Sequence, residues 1–430
     1  MTTLDDLLTQ LDAAVAAGDE TRARELIGQV QQRLVQEQNT LQSAERRVRA
    51  VEAALDRPDP LFAPRIAPQV ALPKIDRVID AALPGTFKIE RAMGGAGDEI
   101  VRQIEGTVFP VWFGTNRKPE GAGFGSARHD RTTYGRAEVF VPVGHRTGEI
   151  GTSFWTRLLR FDLRDDTLRL QRTSTLQHAA WLDEVRDTIE AAKTEAGGSH
   201  AVVFLHGFNV SFEDAAIRAA QIGIDLAMPG ATAFFSWPSR GNVTDYPVDE
   251  ATIEASEQAI TDFLVDFATQ CGADKVHVIA HSMGNRGLLR ALQRIAANAQ
   301  TRGQVKFDQI ILAAPDVDRD LFLNLAALYA EHGRRTTLYS SSGDLPVHVS
   351  AKLHDAARAG YFKPYTVTPN VDTIAVPDFD LDLLGHSYFA QAESLLNHMR
   401  DLMLNGKATV SANRLQPASA DGATFTMFKR

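Results

Sequence analysis

The 430 residues carry 45 Lys and Arg against 54 Asp and Glu, a formal net charge of −9 that argues against nucleic acid as a partner. Hydrophobic residues make up 44% and charged residues 23%, an ordinary globular composition with room for one or two domains and a large core. A single cysteine, Cys271, excludes an internal disulfide framework and a four-cysteine zinc site, and no apolar run approaches the ~18 residues that would make a transmembrane segment.

The first residues, Met1-Thr2-Thr3-Leu4-Asp5-Asp6, are acidic and lack the basic and apolar regions of a signal peptide, so a cytoplasmic location is expected. Residues 1–56 read as a helical hairpin. Leu4, Leu7, Leu8, Leu11 and Val15 fall at helical spacing, Gly18-Asp19 marks a break, and a second, imperfectly heptad-like helix carries Leu26, Ile27, Val30, Leu34, Val35, Leu41, Val48, Val51 and Leu55. This coiled-coil-like module either packs on the rest of the chain or serves a homo-oligomer or protein partner. Residues 57–73, with Pro58, Pro60, Pro64, Pro68 and Pro73, form a semi-stiff linker. Residues 74–106 are expected to be a partly helical lead-in, with Gly94-Gly95-Ala96-Gly97 as a break.

From Thr107 to about 404 the pattern is that of a catalytic α/β domain. Val108–Phe113 and Ala137–Val143 are strands, joined by a long polar loop containing Asn116-Arg117-Lys118-Pro119. A short strand is expected at 168–170 and an amphipathic helix at 177–194. Ala201-Val202-Val203-Phe204-Leu205 is an unbroken apolar run, as in a strand covered on both faces. Strands at 231–235, 275–280, 308–314, 335–340 and near 365–375 then alternate with helices near 211–227 and at 250–269, 284–297, 319–331 and 386–404. Such alternation means a mostly parallel sheet with helices on both faces. Residues 405–430 are expected to be a loosely held tail.

The chemistry centres on Ala280-His281-Ser282-Met283-Gly284, which joins the β-branched run Val276–Ile279 to a helical stretch. Strand, sharp turn and helix are the context of a nucleophile elbow: the turn strains the serine, and small residues two positions either side avoid a clash. Position 280 is alanine where the motif has glycine. In an open α/β sheet functional groups follow the carboxyl ends of strands. After the 201–205 strand comes His206-Gly207-Phe208-Asn209, so the N–H groups of Phe208 and Met283 are candidates for an oxyanion hole. Trp237, in Ser236-Trp237-Pro238-Ser239, is either a pocket wall or a packed core residue, and His281 is a second pocket candidate.

A serine nucleophile needs a base and an orienting carboxylate, in the chain order Ser, acid, His. Asp344 follows a late strand in Ser341-Ser342-Gly343-Asp344, and Asp316 or Asp318 is the alternative acid. His386, in Gly385-His386-Ser387-Tyr388-Phe389, follows the last strand, whereas His332, His348, His354 and His398 sit in or beside helices.

These residues, with Phe113-Gly114-Thr115-Asn116-Arg117, resemble the α/β-hydrolase superfamily, in its bacterial serine esterase/lipase-like branch of largely unassigned function. The resemblance covers about 107–404. It implies an eight-stranded-type sheet, a Ser282–His386–Asp344 triad, and an oxyanion loop of the kind used on medium or longer acyl groups. The expected activity is metal-independent and cofactor-free hydrolysis of a small-molecule or lipid-like carboxylic ester. The same triad also suits a thioesterase, amidase or acyltransferase. In a third reading the helical module docks a hydrolase domain to a partner.

Overall fold

The structure is a computed structural model. It describes Arg22 and residues 86–91, 102–121, 123–143, 168–193, 198–240, 245–341, 356–361, 364–376, 389–407, 411–420 and 422–429. The chain divides into two compact units, Met1–Lys74 and Ile75–Arg430. Apart from Arg22, which is helical and exposed, the hairpin expected over 1–56 and the linker over 57–73 lie outside the described residues.

The second unit is built on one 12-stranded sheet. Its strands are β1 (Thr86–Arg91), β2 (Arg102–Glu120), β3 (Gly123–Pro142), β4 (Arg169–Leu176), β5 (His200–Leu205), β6 (Gly230–Ser236), β7 (Lys275–His281), β8 (Phe307–Ala313), β9 (Gly333–Ser341), β10 (Asp372–Val376), β11 (Leu415–Ala420) and β12 (Ala423–Phe428). The spatial order is β11-β12-β10-β9-β8-β7-β5-β6-β2-β3-β4, with β1 on β2. From β2 through β12 the neighbours pair parallel; β1, β3, β4 and β11 add antiparallel edges. The order reverses between β5 and β7, the kind of switch point at which open α/β sheets place their functional groups, at the carboxyl ends of the strands.

The helices α1 (His178–Ala191), α2 (Phe212–Leu226), α3 (Tyr246–Ala255), α4 (Glu257–Gln270), α5 (Gly284–Ala297), α6 (Arg319–Leu325), α7 (Ala327–His332) and α8 (Phe389–Asn405) cover the two faces. Strand alternation divides the core between them. Val203, Leu205, Val278, Ala280, Ile310 and Leu312 pack with α1, α4 and α5. Val202, Phe204, Ile279, Ile311 and Ala313 pack with α2 and α8. That two-sided burial is why the central strands read as continuous apolar runs. Ser211 begins α2 with a capping box, its hydroxyl accepting from the Asp214 N–H while the Asp214 carboxylate accepts from the Ser211 N–H.

The structure corrects several expectations. The sheet has 12 strands, more than the eight-stranded type that the resemblance implies, and the helix expected over 319–331 is two, α6 and α7, meeting at Ala326. The polar stretch around Asn116 is not a loop: β2 runs to Glu120 and returns as β3 at Gly123, with register shifts at Thr115/Arg117 and Arg117/Pro119. Thr115, Asn116 and Arg117 are buried, with their side chains hydrogen-bonded to Ser236 at the end of β6 and to Ser256 between α3 and α4. The lead-in over 74–106 contains the strand β1, paired along its length with β2. The tail is not loose, since β11 and β12 form a hairpin and β12 extends the parallel sheet beside β10. The helix expected over 250–269 is two helices meeting at Ser256. There the Ser256 hydroxyl donates back to Thr252 O (2.8 Å) and accepts from Asn116 Nδ2 (2.9 Å), contacts that bend a helix.

No helix among the described residues is long and apolar enough to cross a membrane.

Candidate active site

Ser282 stands between the end of β7 and the start of α5, 4% exposed, with φ of 48°. Left-handed backbone costs a non-glycine residue of order 1–3 kcal/mol and persists only where surroundings impose it. Here they are explicit. The Ser282 N–H donates to Ala313 O (2.9 Å), and the Ser282 carbonyl accepts from the N–H groups of Asn285 and Asp316 (both 3.1 Å). The buried Asn285 amide donates to Ala280 O and Ser282 O (both 3.0 Å), tying the turn shut beneath the serine.

The small residues around the turn are sterically required. A Cβ on Gly284 would stand 2.6 Å from the carbonyl oxygens of both Leu205 and His206. A Cβ on Gly207 would stand 3.1 Å from Ser282 Cβ and from His281 Nδ1. The loop after β5 therefore lies directly against the Ser282 turn, and Ala280 is fully buried. Asn209 and Ala314, at the carboxyl ends of β5 and β8, are also left-handed, with φ of 58° and 42°. Three of the five left-handed non-glycine residues among the described residues thus follow β5, β7 and β8, three adjacent strands.

Phe208 is half-buried and Met283 fully buried. Neither N–H donates a hydrogen bond to a protein acceptor among the described residues, so both remain available to a ligand oxygen. Met283 also lies at the amino end of α5, where the helix dipole favours negative charge. Trp237 is fully buried; its indole N–H donates to His206 O (2.9 Å) and its ring stacks on His206 at 5.0 Å. It is a packed support for the post-β5 loop. Phe208 meets Tyr246 edge to face at 5.3 Å, forming an aromatic wall on that side.

Asp316 is buried beside the turn. It accepts from the Tyr246 hydroxyl and lies 3.7 Å from Arg286 Nη2 and 3.5 Å from Arg358 Nε. Arg286 also donates from Nε to Asp316 O (2.7 Å) and from Nη2 to the Tyr246 hydroxyl (3.0 Å), and it pairs with Glu250. This carboxylate is committed to clamping α3, α5 and the 356–361 segment together. Asp318 caps α6 by accepting from the Leu321 N–H at 2.9 Å. Asp344 and His386 lie outside the described residues.

Asp249 was not singled out from the sequence, and Arg117 was named there only within a motif, without a role. Buried Asp249 accepts from the Ser239 hydroxyl (2.5 Å), the Arg240 N–H (2.9 Å) and, more weakly, the Asn209 N–H (3.4 Å). Burial raises its pKa above the ordinary carboxylate value against the pull of those donors. It joins the loops after β5 and β6. The guanidinium of Arg117 binds the same loops through Val210 O (2.7 Å) and Ser239 O (2.9 Å). The available signal was an arginine four residues past the apolar run Val108–Phe113, where a buried cation needs several acceptors.

An uncharacterized protein of Nostoc sp. (strain PCC 7120) is 26% identical, the match taking in 34% of this chain; the chain spans half the length of that curated relative. Among solved structures, an uncharacterized protein from Bacillus cereus is 14% identical with a TM-score of 0.32, over 50% of this chain and 62% of that one. A putative hydrolase from Agrobacterium vitis is 14% identical with a TM-score of 0.31, over 70% of this chain and 100% of that one. An esterase of Pyrobaculum calidifontis is 13% identical with a TM-score of 0.30, over 76% and 89%. Likeness at that level says nothing of what this chain acts on. Residues 183–403, just over half of the 430, match the model of the family described as "Alpha/beta hydrolase of unknown function (DUF900)", and the chain belongs to that family.

Proposed function

We propose that this α/β hydrolase is a serine hydrolase of carboxylic esters, with Ser282 as nucleophile, His386 as base and Asp344 as orienting acid. The observation that carries the reading is the left-handed backbone of Ser282 at a strand-to-helix turn whose neighbours have no room for a larger residue. An ordinary helix-capping serine has no need of that conformation. His386 takes the Ser282 proton as the hydroxyl attacks the acyl carbon, and Asp344 holds the imidazole in the productive tautomer. The negative charge on the carbonyl oxygen falls to the N–H groups of Phe208 and Met283, each worth about 3 kcal/mol in the transition state. The alcohol leaves with the proton from His386. A water activated by the same base then releases the acid and regenerates Ser282.

Asp344 is preferred to Asp316 because the Asp316 carboxylate already has Tyr246, Arg286 and Arg358 around it.

The test is covalent. A fluorophosphonate probe, followed by peptide mass spectrometry, is expected to modify Ser282 alone. Modification elsewhere, or ordinary ester turnover by Ser282→Ala, would refute the assignment. Comparing kcat/KM for matched ester, thioester and amide substrates then tests the bond, with the ester expected to lead.

A further inference from the structure

The Phe113-Gly114-Thr115-Asn116-Arg117 stretch stood out in the sequence, yet none of it takes part in the proposed chemistry. Its residues are buried and busy. Gly114 fits beneath the Phe263 ring, which a Cβ would meet at 2.5 Å. The Thr115 hydroxyl donates to Ser236 O (2.6 Å) at the end of β6. Arg117, 1% exposed, donates from Nε to Ser236 Oγ (2.8 Å), besides its bonds to Val210 O, Ser239 O and Gly125 O. All these acceptors are neutral oxygens. Burial pushes its pKa down to about 9, with Asp249 and Asp214 opposing at longer range, so the side chain stays charged at neutral pH. A buried cation spent on neutral acceptors is a costly way to fix a loop.

The chain of contacts continues to the oxyanion loop. Ser236 Oγ lies 3.4 Å from His206 Nε2, and His206 Nδ1 lies 2.7 Å from Gly207 O. A carbonyl only accepts, so Nδ1 carries the proton and Nε2 accepts from the Ser236 hydroxyl. Burial first, then the Arg117 charge, lowers the His206 pKa to about 3 against the opposing pull of the Gly207 and Trp237 backbone, so the ring is neutral and carries a single N–H. The donors run one way, from guanidinium to hydroxyl to imidazole to the Gly207 carbonyl. That carbonyl and the Phe208 N–H belong to the same planar peptide group, so holding the oxygen fixes where the N–H points. Hydrogen bonds in series also polarise one another, which strengthens the terminal donor.

We propose that Arg117, Ser236 and His206 are positioning residues: a relay that aims and polarises the Gly207–Phe208 peptide so that the Phe208 N–H binds the oxyanion. The inference rests on the oxyanion role proposed above for Phe208. Trp237 keeps the relay in plane by stacking on His206 and binding its carbonyl. The relay acts only when charge develops on the substrate oxygen. Its loss therefore lowers kcat and leaves KM in place.

The experiment uses the full chain with p-nitrophenyl butyrate as substrate and a trifluoromethyl ketone as mimic of the tetrahedral adduct. Arg117→Met removes four hydrogen bonds at once and risks the fold, so the separating variants are Ser236→Ala and His206→Phe, with His206→Asn as the conservative partner. Ser236→Ala and His206→Phe are expected to lower kcat on the order of ten- to a hundredfold, less than the loss of a donor outright. KM should hold, and ketone affinity should fall by the same factor as kcat/KM. His206→Asn, whose amide N–H reaches the Nδ1 position, should keep more of kcat than His206→Phe. Wild-type kcat and ketone affinity in Ser236→Ala and His206→Phe, with fluorophosphonate still on Ser282, would overturn the relay alone. Equal impairment of the Asn and Phe variants, with KM rising in step, would also overturn it. Fluorophosphonate on another residue of the wild-type protein would overturn the Ser282 reading beneath it.

Discussion

At the amino ends of β5 and β7, His200 and His277 stack with ring centroids 5.2 Å apart and share a 2.9 Å hydrogen bond between ring nitrogens. Beside them Asp274 accepts from the Ser199 N–H (2.9 Å). At the carboxyl ends of the same strands His206 is equally buried, but its contacts go to the Gly207 carbonyl, the Ser236 hydroxyl and the Trp237 ring. The left-handed residues differ as well. Before β5 and β7 they are Gly198 and Gly272; after these strands they are Asn209 and Ser282. Glycine takes that conformation freely, whereas a side chain there is strained. One rim uses buried polar groups to join strand to strand. The other uses them to hold strained loops at a fixed place, which is what a preorganised site requires.

The contrast predicts its own failures. The largest effect is expected from Ser282→Ala, which should cut ester turnover on the order of 10⁴- to 10⁶-fold while circular dichroism and thermal unfolding stay near wild type. Gly284→Ala drives a Cβ into two backbone carbonyls that cannot swing aside. It should cost ~1–3 kcal/mol in urea unfolding and abolish fluorophosphonate labelling as the turn opens. A protein that keeps both would show that the carboxyl rim is less rigid than its contacts imply.

Acid should weaken both rims. Burial lowers His206 and His277 to about 3 and His398 to about 4. In the unfolded chain these groups titrate near 6.5, so on acidification the unfolded state takes up protons first. Their contribution is fully present above pH ~6.5 and falls as the pH drops below it, by up to ~1.4 kcal/mol per pH unit for each histidine. Urea unfolding at a series of pH values measures the slope; a flat profile between roughly pH 4 and 6.5 would contradict it. The smallest effect separates the rims. His277→Gln should flatten that slope by one histidine and leave kcat unchanged, whereas His206→Phe should flatten it and lower kcat. A fall in kcat from His277→Gln would mean that the amino rim also reaches the site.

Much of this architecture was legible in the chain. The runs at 201–205, 275–280 and 308–314 are apolar because both faces of the strands are covered, and the signal survives without any knowledge of neighbours. The strand–turn–helix at Ser282 was legible for the same kind of reason: its spacing of small residues reflects collisions between the turn and the residues that end β5 and follow it. The polar stretch at Asn116–Pro119 was misread because hydropathy reports what a side chain prefers, not whether the fold supplies acceptors. Arg117 is buried only because Ser236 at the end of β6, and Val210 and Ser239 in the loops after β5 and β6, supply its acceptors. The terminal hairpin β11–β12 was missed for a related reason. Its burial alternates weakly along an edge, and its pairing with β10 is not encoded near it in sequence.

The sequence by itself determined the α/β class, the central strands, the strand–turn–helix around Ser282 and the order of candidate groups along the chain, because those depend on periodicity and local sterics. Only the tertiary structure decided that Asp316 belongs to an arginine and tyrosine clamp. It alone brought His206, Ser236 and Arg117 into one line behind the Phe208 peptide, and added β1 beside β2 and the β11–β12 hairpin at one end of the sheet. Those outcomes depend on which distant backbone and side-chain atoms come within hydrogen-bonding reach, and no local pattern records that.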